Sequence, residues 1–323
     1  MGTLYSIGEV LIDFIPMQKG QALKDVVSFE RAPGGAPANV AAAVSKLGGQ
    51  SAMLTKLGAD AFGDFLLEKL DEAGVETKHI IRTNEANTAL AFVSLREDGE
   101  RDFSFYRKPC ADLLMTANEV DESLFTSGDI LHFCSVDLVE SPMKHAHVKA
   151  IDSAKQRGAL VSFDPNVRLP LWDSPDACRE TILAFIPKAH LVKISDEELG
   201  FITGISEEKA AIESLFTGDV QAVVYTRGAE GATLYVNDTK IQADGFSVQV
   251  QDTTGAGDAF IGALLYRLLD AAADQENVQA VLEQNGENML KFANAAGAIT
   301  TTGKGAISSL PSKQQMDDML KPR

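Results

Sequence analysis

One short segment, Gln251-Asp-Thr-Thr-Gly-Ala-Gly-Asp-Ala-Phe260, carries the densest chemical information in the chain. Before it, Phe246, Val248 and Val250 alternate as in a strand; after it, Ala259, Phe260, Ala263, Leu264, Leu268 and Leu269 recur at helical spacing. A glycine-rich turn is therefore expected to open a helix. Gly255 and Gly257 let the backbone turn tightly, which leaves the amides of Gly255, Ala256, Gly257 and Asp258 open. With the positive end of the helix dipole, those amides form a site for developing negative charge. Asp258 falls in the first helical turn. It is either a helix-cap carboxylate or a base beside an anion site, able to take a proton from a hydroxyl while the amides stabilise a transferring phosphoryl group. No Lys-Ser/Thr follows the glycines as a Walker A loop requires, and the turn is not a dinucleotide-binding GxGxxG after the first strand.

Other residues stand out by type and place. Asp13 interrupts the alternating stretch Gly8-Glu-Val-Leu-Ile-Asp-Phe-Ile15, as a solvent-facing strand residue or a ligand-binding one. Gly34 and Gly35, with Pro37 and Asn39 following, read as a turn into a helix. Arg107 follows the aromatic run Phe103-Ser-Phe-Tyr106 and by itself is a surface charge or a cation–π partner. Asp164 closes an apolar strand, so Asn166 and Arg168 fall in the loop at its C-terminal end, where open α/β sheets bind ligands. Arg168 there suits a phosphate or a substrate oxygen. Ser195, with Glu198 three residues on, is a capping box. Cys110, Cys134 and Cys178 are far apart and odd in number, so neither a disulfide framework nor structural zinc is expected. The five histidines, His79, His132, His145, His147 and His190, show no metal-binding spacing.

These residues need a scaffold, and the chain supplies one. Apolar runs at Leu4–Gly8, Ser51–Leu57, Asp129–Val136, Leu160–Asp164, Leu191–Ile194 and Ala222–Thr226 read as buried strands. Between them, Ala38–Leu47, Phe62–Ala73, Met143–Arg157, Pro175–Ile186 and Glu207–Phe216 read as helices. Such alternation predicts an α/β fold with a mostly parallel sheet covered on both faces. Val10–Phe29 and Thr88–Tyr106 instead show a period of 2, and Asp98-Gly99 marks a hairpin, so antiparallel strands forming a flap over the site are expected. The chain has 323 residues, 45% of them apolar, with 29 Lys+Arg against 46 Asp+Glu and a net charge of −17. That composition excludes disorder for the bulk of the chain and argues against nucleic acid or an anionic membrane as partner. No signal peptide, membrane span, repeat or linker is read, which points to the cytoplasm. A short helix or frayed end is expected at 316–323.

The segment Asp252-Thr-Thr-Gly-Ala-Gly-Asp-Ala-Phe260 closely resembles the C-terminal signature of the ribokinase (pfkB) family of carbohydrate kinases. A second signature is similar too, in Pro33-Gly-Gly-Ala-Pro-Ala-Asn39, Lys46-Leu-Gly48 and Leu57-Gly-Ala-Asp-Ala-Phe-Gly63. The likeness runs from Ile7 to about Pro311, and Phe105-Tyr-Arg-Lys-Pro-Cys-Ala-Asp112 and Asp164-Pro-Asn-Val-Arg168 resemble the fructokinase branch.

The resemblance implies a three-layer α/β/α ribokinase-like body over residues 1–323, with a small β-strand lid from about 10–32 and 88–108. It implies an ATP-dependent sugar kinase using Mg²⁺, with fructose as substrate. A 2-keto-3-deoxygluconate kinase, a more distant ribose or nucleoside kinase, and a non-catalytic sugar sensor on the same fold are the alternatives. Asp258 becomes the base and Gly255–Asp258 the anion hole. Asp13, Gly34, Gly35, Asn39, Arg107, Asn166 and Arg168 become the sugar site. Ser195, Glu198, Thr226, Gly228, Gly231 and Asn294 fall at the nucleotide, with Glu198 reaching Mg²⁺ through water. Ser195 stands where the family usually has Asn, which weakens that position's role. Asp252, Thr254, Thr300, Gly303, Gly305 and Ser309 match where relatives bind K⁺. A homodimer through the lid is the oligomer implied.

Overall fold

The computed structural model describes residues 1–18, 20–95 and 101–321. The Asp98-Gly99 turn lies outside the described residues. In chain order the elements are β1 (Thr3–Ile7), β2 (Leu11–Pro16), β3 (Phe29–Gly34), α1 (Ala36–Lys46), β4 (Gln50–Gly58), α2 (Ala61–Glu72), β5 (Ile80–Thr83), β6 (Leu90–Leu95) and β7 (Arg101–Tyr106). They continue with β8 (Ile130–Cys134), α3 (Pro142–Gln156), β9 (Leu160–Asp164), α4 (Pro175–Phe185), β10 (Leu191–Ser195), α5 (Asp196–Thr203), α6 (Glu208–Glu213) and β11 (Ala222–Thr226). The last are β12 (Gly231–Val236), β13 (Thr239–Asp244), α7 (Ala256–Asp270), α8 (Val278–Thr300), α9 (Ala306–Ser309) and α10 (Lys313–Leu320).

Among the described residues nine strands form one sheet in the order β13-β12-β11-β10-β9-β8-β1-β4-β5. From β11 to β5 every pairing is parallel, while β12 and β13 add an antiparallel edge. Burial follows the two-residue period of the strands. Ile130, Leu160, Leu191 and Val224 face the layer of α1, α7 and α8, whereas Leu131, Val161, Val192 and Val223 face the layer of α3, α4, α5 and α6. Each fully buried Leu, Val or Phe contributes about 1.5–3 kcal/mol. Both faces are covered, which is why these strands read as continuous apolar runs.

A second sheet, in the order β3-β2-β6-β7, stands apart from the first. Its centre differs from the expected antiparallel flap: β2 pairs with β6 in parallel, and the antiparallel pairs are the flanking β2/β3 and β6/β7. Two hairpins therefore meet side by side. The Phe246–Val250 alternation is not a strand either. It is extended chain with no ladder partner, although Phe246 still packs on the core. The C-terminal helix begins earlier than read, at Lys313, where Ser312 caps it.

Candidate active site

A cavity of about 340 Å³ opens between the C-terminal ends of the parallel strands and the small sheet. Its floor is the turn before α7. Gly255 caps that helix in the left-handed region at φ 77°, and a Cβ there would lie 2.6 Å from the Cβ of Ala306. Both dihedral and space therefore demand glycine. The first turn of a helix has no carbonyls of its own for its amides, so Gly257 and Asp258 present theirs at the positive end of the dipole. Gly255, Gly257 and Asp258 line the cavity. Ala256 does not line it, and its N–H donates to Thr253 O at 3.3 Å.

Asp258 is buried between two amide side chains: Asn39 Nδ2 donates to Oδ2 at 2.8 Å, and Asn166 Nδ2 donates to Oδ1 at 3.2 Å. Burial pushes its pKa up, while Asn39, Arg168, Lys193 and Asn166 favour the ionised form. The result is an oriented, partly desolvated carboxylate beside an anion site, which is what a general base requires. Asn166 reaches it from a left-handed backbone, φ 48°, just past the end of β9. A non-glycine residue held there is a strained position of the kind that clusters at functional sites.

Beneath the turn lies a cation that sequence reasoning missed as a site residue. Lys193 Nζ pairs with Asp164 Oδ2 at 2.9 Å and would lie 3.4 Å from a Cβ on Gly257. Burial opposes its charge, but Asp164 and then Glu198 outweigh burial and hold its pKa above the ordinary lysine value. The available signal was a lone Lys in the buried run Leu191–Ser195.

Ser195 and Glu198 form the capping box: Ser195 N and Oγ donate to Glu198 Oε2 at 3.1 and 2.9 Å. Glu198 Oε1 also accepts from Val167 N at 2.8 Å, tying the loop that carries Asn166 and Arg168 to α5. Burial raises the Glu198 pKa, but Lys193 and these bonds more than reverse it, so the group is ionised at the cavity wall. No group of three or more His, Cys, Asp or Glu among the described residues could hold a metal by itself. An ionised carboxylate on the wall instead fits Mg²⁺, which keeps most of its waters and is held mainly by substrate phosphates.

Of the residues read as the sugar site, Asp13, Gly35 and Asn39 line the cavity, as do Asn166 and Arg168. A Cβ on Gly34 would lie 2.1 Å from Asp13 Oδ2, so Gly34 makes room for that carboxylate without lining the cavity itself. Gly35, at φ 110°, lies against Glu9 O, which a Cβ would approach to 2.4 Å. Arg168 is exposed on the wall, its Nη1 donating to Val167 O at 2.9 Å.

Arg107 is not brought to the wall. It is buried, and its Nη2 donates to Asp112 Oδ2 and Asp137 Oδ1, each at 2.5 Å.

The four residues read as nucleotide-binding alongside Ser195 and Glu198 divide. Thr226 ends β11 in register with Ser195, near the cavity rim. Gly228 is exposed, at the start of a single 3-10 turn, Gly228–Glu230. Gly231 is needed by the sheet, because a Cβ would lie 2.2 Å from Ala243 O. Asn294 Nδ2 donates to Ala243 O and Asp244 O, joining α8 to the end of β13. None of the four lines the cavity.

Of the residues read as a cation site, Thr254 and Gly305 bond to Asp252. Its Oδ1 accepts from Thr254 N and Oγ1, and its Oδ2 accepts from Gly305 N at 3.0 Å. Gly303 packs against Ser309, whose hydroxyl donates to Lys304 O. Thr300 is buried and donates to Ala296 O within α8. Carboxylate, hydroxyl and carbonyl oxygens are the kind of donor set that suits K⁺.

Residues 1–313 match the model of the pfkB family carbohydrate kinases. The chain is 44% identical over 321 residues to probable fructokinase-4 of Arabidopsis thaliana, covering 98% of this chain and 96% of that one. Its structure superposes on a fructokinase with bound ATP from Xylella fastidiosa with a TM-score of 0.90, at 36% identity and 98% coverage of both chains. A fructokinase from Vibrio cholerae O395, in a form with fructose, ADP and calcium ion bound, gives a TM-score of 0.88 at 35% identity, with 99% of both chains covered.

Proposed function

This chain belongs to the pfkB family of carbohydrate kinases, on the ribokinase-like α/β fold, and from that premise we propose that it transfers the γ-phosphoryl group of ATP to the primary hydroxyl of D-fructose, forming fructose 6-phosphate. One observation carries the reading: Asp258 is held by Asn39 and Asn166 at the head of α7, beside the amides of the Gly255 turn.

Asp258 takes the proton from the sugar hydroxyl. That oxygen attacks the γ-phosphorus, and the bond to the departing ADP oxygen breaks. The amides at Gly257 and Asp258, backed by Lys193, meet the negative charge on the transferring group. Arg168 adds a mobile cation at the same end. Glu198 is the residue that would help to hold Mg²⁺, which would supply neutralisation of phosphate charge. K⁺ near Asp252 would stiffen the turn that carries Gly255. Asp13, Gly35 and Asn39 hold the sugar, with Gly34 giving Asp13 its room. The small sheet covers it and excludes water, which protects ATP from hydrolysis. Buried free thiols at Cys110, Cys134 and Cys178 suit a reducing compartment, the cytoplasm. No helix among the described residues is long and apolar enough to cross a membrane.

Fructose is favoured over 2-keto-3-deoxygluconate because a sugar acid needs a cation for its carboxylate. Arg107 is claimed by two aspartates away from the wall and Lys193 by Asp164, and Arg168 lies near enough to Asp258 to favour its ionised form. The test is ADP release with Mg-ATP in K⁺ buffer across fructose, 2-keto-3-deoxygluconate, ribose, glucose, tagatose and adenosine. A dominant fructose rate is expected. Preference for the sugar acid would overturn the sugar assignment, and sugar binding without ADP release would make the protein a sensor.

A further inference from the structure

Arg107 is the only described cation in a buried cluster of three carboxylates, Glu9, Asp112 and Asp137, at the place where the two sheets join. Each member comes from a different part of the chain. Glu9 lies in the two-way link between β1 of the large sheet and β2 of the small one. Arg107 follows β7 directly, at the root of the small sheet. Asp112 lies in the loop that leaves that root, where it also accepts from Cys110 Sγ and Leu113 N. Asp137 belongs to the link after β8, in the body.

The arrangement touches the sugar wall through Glu9 alone. Glu9 Oε1 accepts from Ala36 N at 3.0 Å, holding the start of α1 just after Gly34 and Gly35. Glu9 and Val136, the neighbour of Asp137, both line the cavity, and Arg107, Asp112 and Asp137 do not. Three acids face one guanidinium in a site closed to water, so full ionisation is unfavourable. Burial, then the nearby Asp137, pushes the Glu9 pKa well up. A proton on Glu9 would leave Asp112 and Asp137 as the two carboxylates that accept from the guanidinium.

We infer that Arg107 is a positioning residue: with Glu9, Asp112 and Asp137 it forms a buried clasp that fixes the lid root and the Gly34–Asn39 loop relative to each other. Its effect on the sugar passes through the placement of Asp13, Gly35 and Asn39. This rests on the proposed fructose phosphorylation, so the test includes one readout that needs no sugar.

The principal variant is Asp137→Asn, which keeps the shape but turns the charge-assisted bond from Arg107 Nη2 into a weaker neutral one, and lies off the cavity wall. Arg107→Lys is the second, keeping the charge but replacing the planar guanidinium, whose Nη2 reaches both aspartates, by a compact ammonium on a different stem. For both, the KM for fructose is expected to rise about tenfold with kcat and the KM for ATP within about twofold, as a small misplacement of binding groups would give. In the absence of sugar, hydrogen exchange is expected to quicken in β2, β6 and the first turn of α1, and to stay unchanged in β8–β11. If Asp137→Asn leaves the fructose KM and the exchange of these segments at wild-type values, the clasp is overturned. Loss of fructose binding in Arg107→Lys alone, with Asp137→Asn at wild-type values, would make Arg107 a direct sugar contact instead. Quickened exchange spread evenly over both sheets would reduce the cluster to general stability and also overturn the inference. Wild-type protein that turns over no fructose would sink the substrate reading, while the exchange pattern would still decide the clasp.

Discussion

The floor of the cavity and its cover solve opposite problems. At the floor, Asp258, Lys193, Asp164 and Glu198 are buried charged groups, each fixed by named partners. Across from them the small sheet presents Leu11, Ile15, Val93 and Phe105 with Asp13 as the one acid among them, and its other face is a cluster in which Phe14 stacks on Phe92 at 4.7 Å. Charges worth keeping out of water are made costly by burial, so they must be held rigidly. A cover has only to exclude water and admit the right shape, which apolar side chains do while allowing movement. The contrast teaches that floor substitutions should act on kcat and cover substitutions on KM.

The sharpest way to break that division is Asp258→Asn. Turnover should fall by about 10²–10⁴-fold, with fructose affinity by calorimetry nearly unchanged. Stability should move the other way. A carboxylate whose folded pKa is raised is protonated more readily in the native state, so its contribution to stability falls as pH rises from the unfolded value through the folded one. At neutral pH the Asn variant should therefore melt at or above the wild-type temperature. A large loss of sugar affinity would mean that floor and cover are not separable. Next in size is Gly255→Ala, which forces a Cβ against Ala306 and asks alanine to hold φ 77°. Displacing the amide turn should cost on the order of 100-fold in kcat, the scale of losing one such donor. The KM for fructose should hardly change.

A smaller effect sharpens the same contrast through pH. Asp258 acts as base only when ionised, so kcat falls as pH drops through its raised pKa. Asn39→Ala removes a hydrogen bond that favours the carboxylate, so the acid limb of the kcat profile should move to higher pH. An unmoved limb would take the base role away from Asp258.

Floor and cover also differed in how far they could be read in advance. The turn, the helix behind it and Asp258 were legible because their signals are local: two glycines, then a change of apolar period within one segment. Six of the parallel strands were legible because burial on both faces leaves unbroken apolar runs. The cover was legible only as a period of 2. Its parallel β2/β6 pairing joins residues 11–16 to 90–95, and no local pattern announces such a partner. Strands β5, β12 and β13 passed unread: β5 has only four residues, β13 carries few apolar ones, and in β12 the alternation of Ala232, Leu234 and Val236 was a signal left unused. The alternation at Phe246–Val250 misled for the reverse reason, since a strand needs a neighbour as well as a pattern. Arg107 failed in the same way. Its motif was visible, but Asp137, which holds it off the cavity wall, lies 30 residues on in another element.

The smallest expected effect is on the cover, at Phe92. Its ring stacks on Phe14 and meets Phe29 and Tyr106 edge to face, at 5.4 and 5.3 Å between centroids. By strand alternation it points away from the cavity, while its neighbour Val93 lines it. The ring is half-buried, so Phe92→Ala should cost about 2 kcal/mol, less than a fully buried phenylalanine does. That loss falls on the packing that keeps β2 and β6 together. The fructose KM should rise a few-fold, at about the scale of one lost aromatic contact, and kcat should stay near wild type. ATP hydrolysis without sugar should not fall, because the floor is untouched. If kcat dropped as far as in Gly255→Ala, the cover would be setting the chemistry through the floor, and the two regions would have to be treated as a single device.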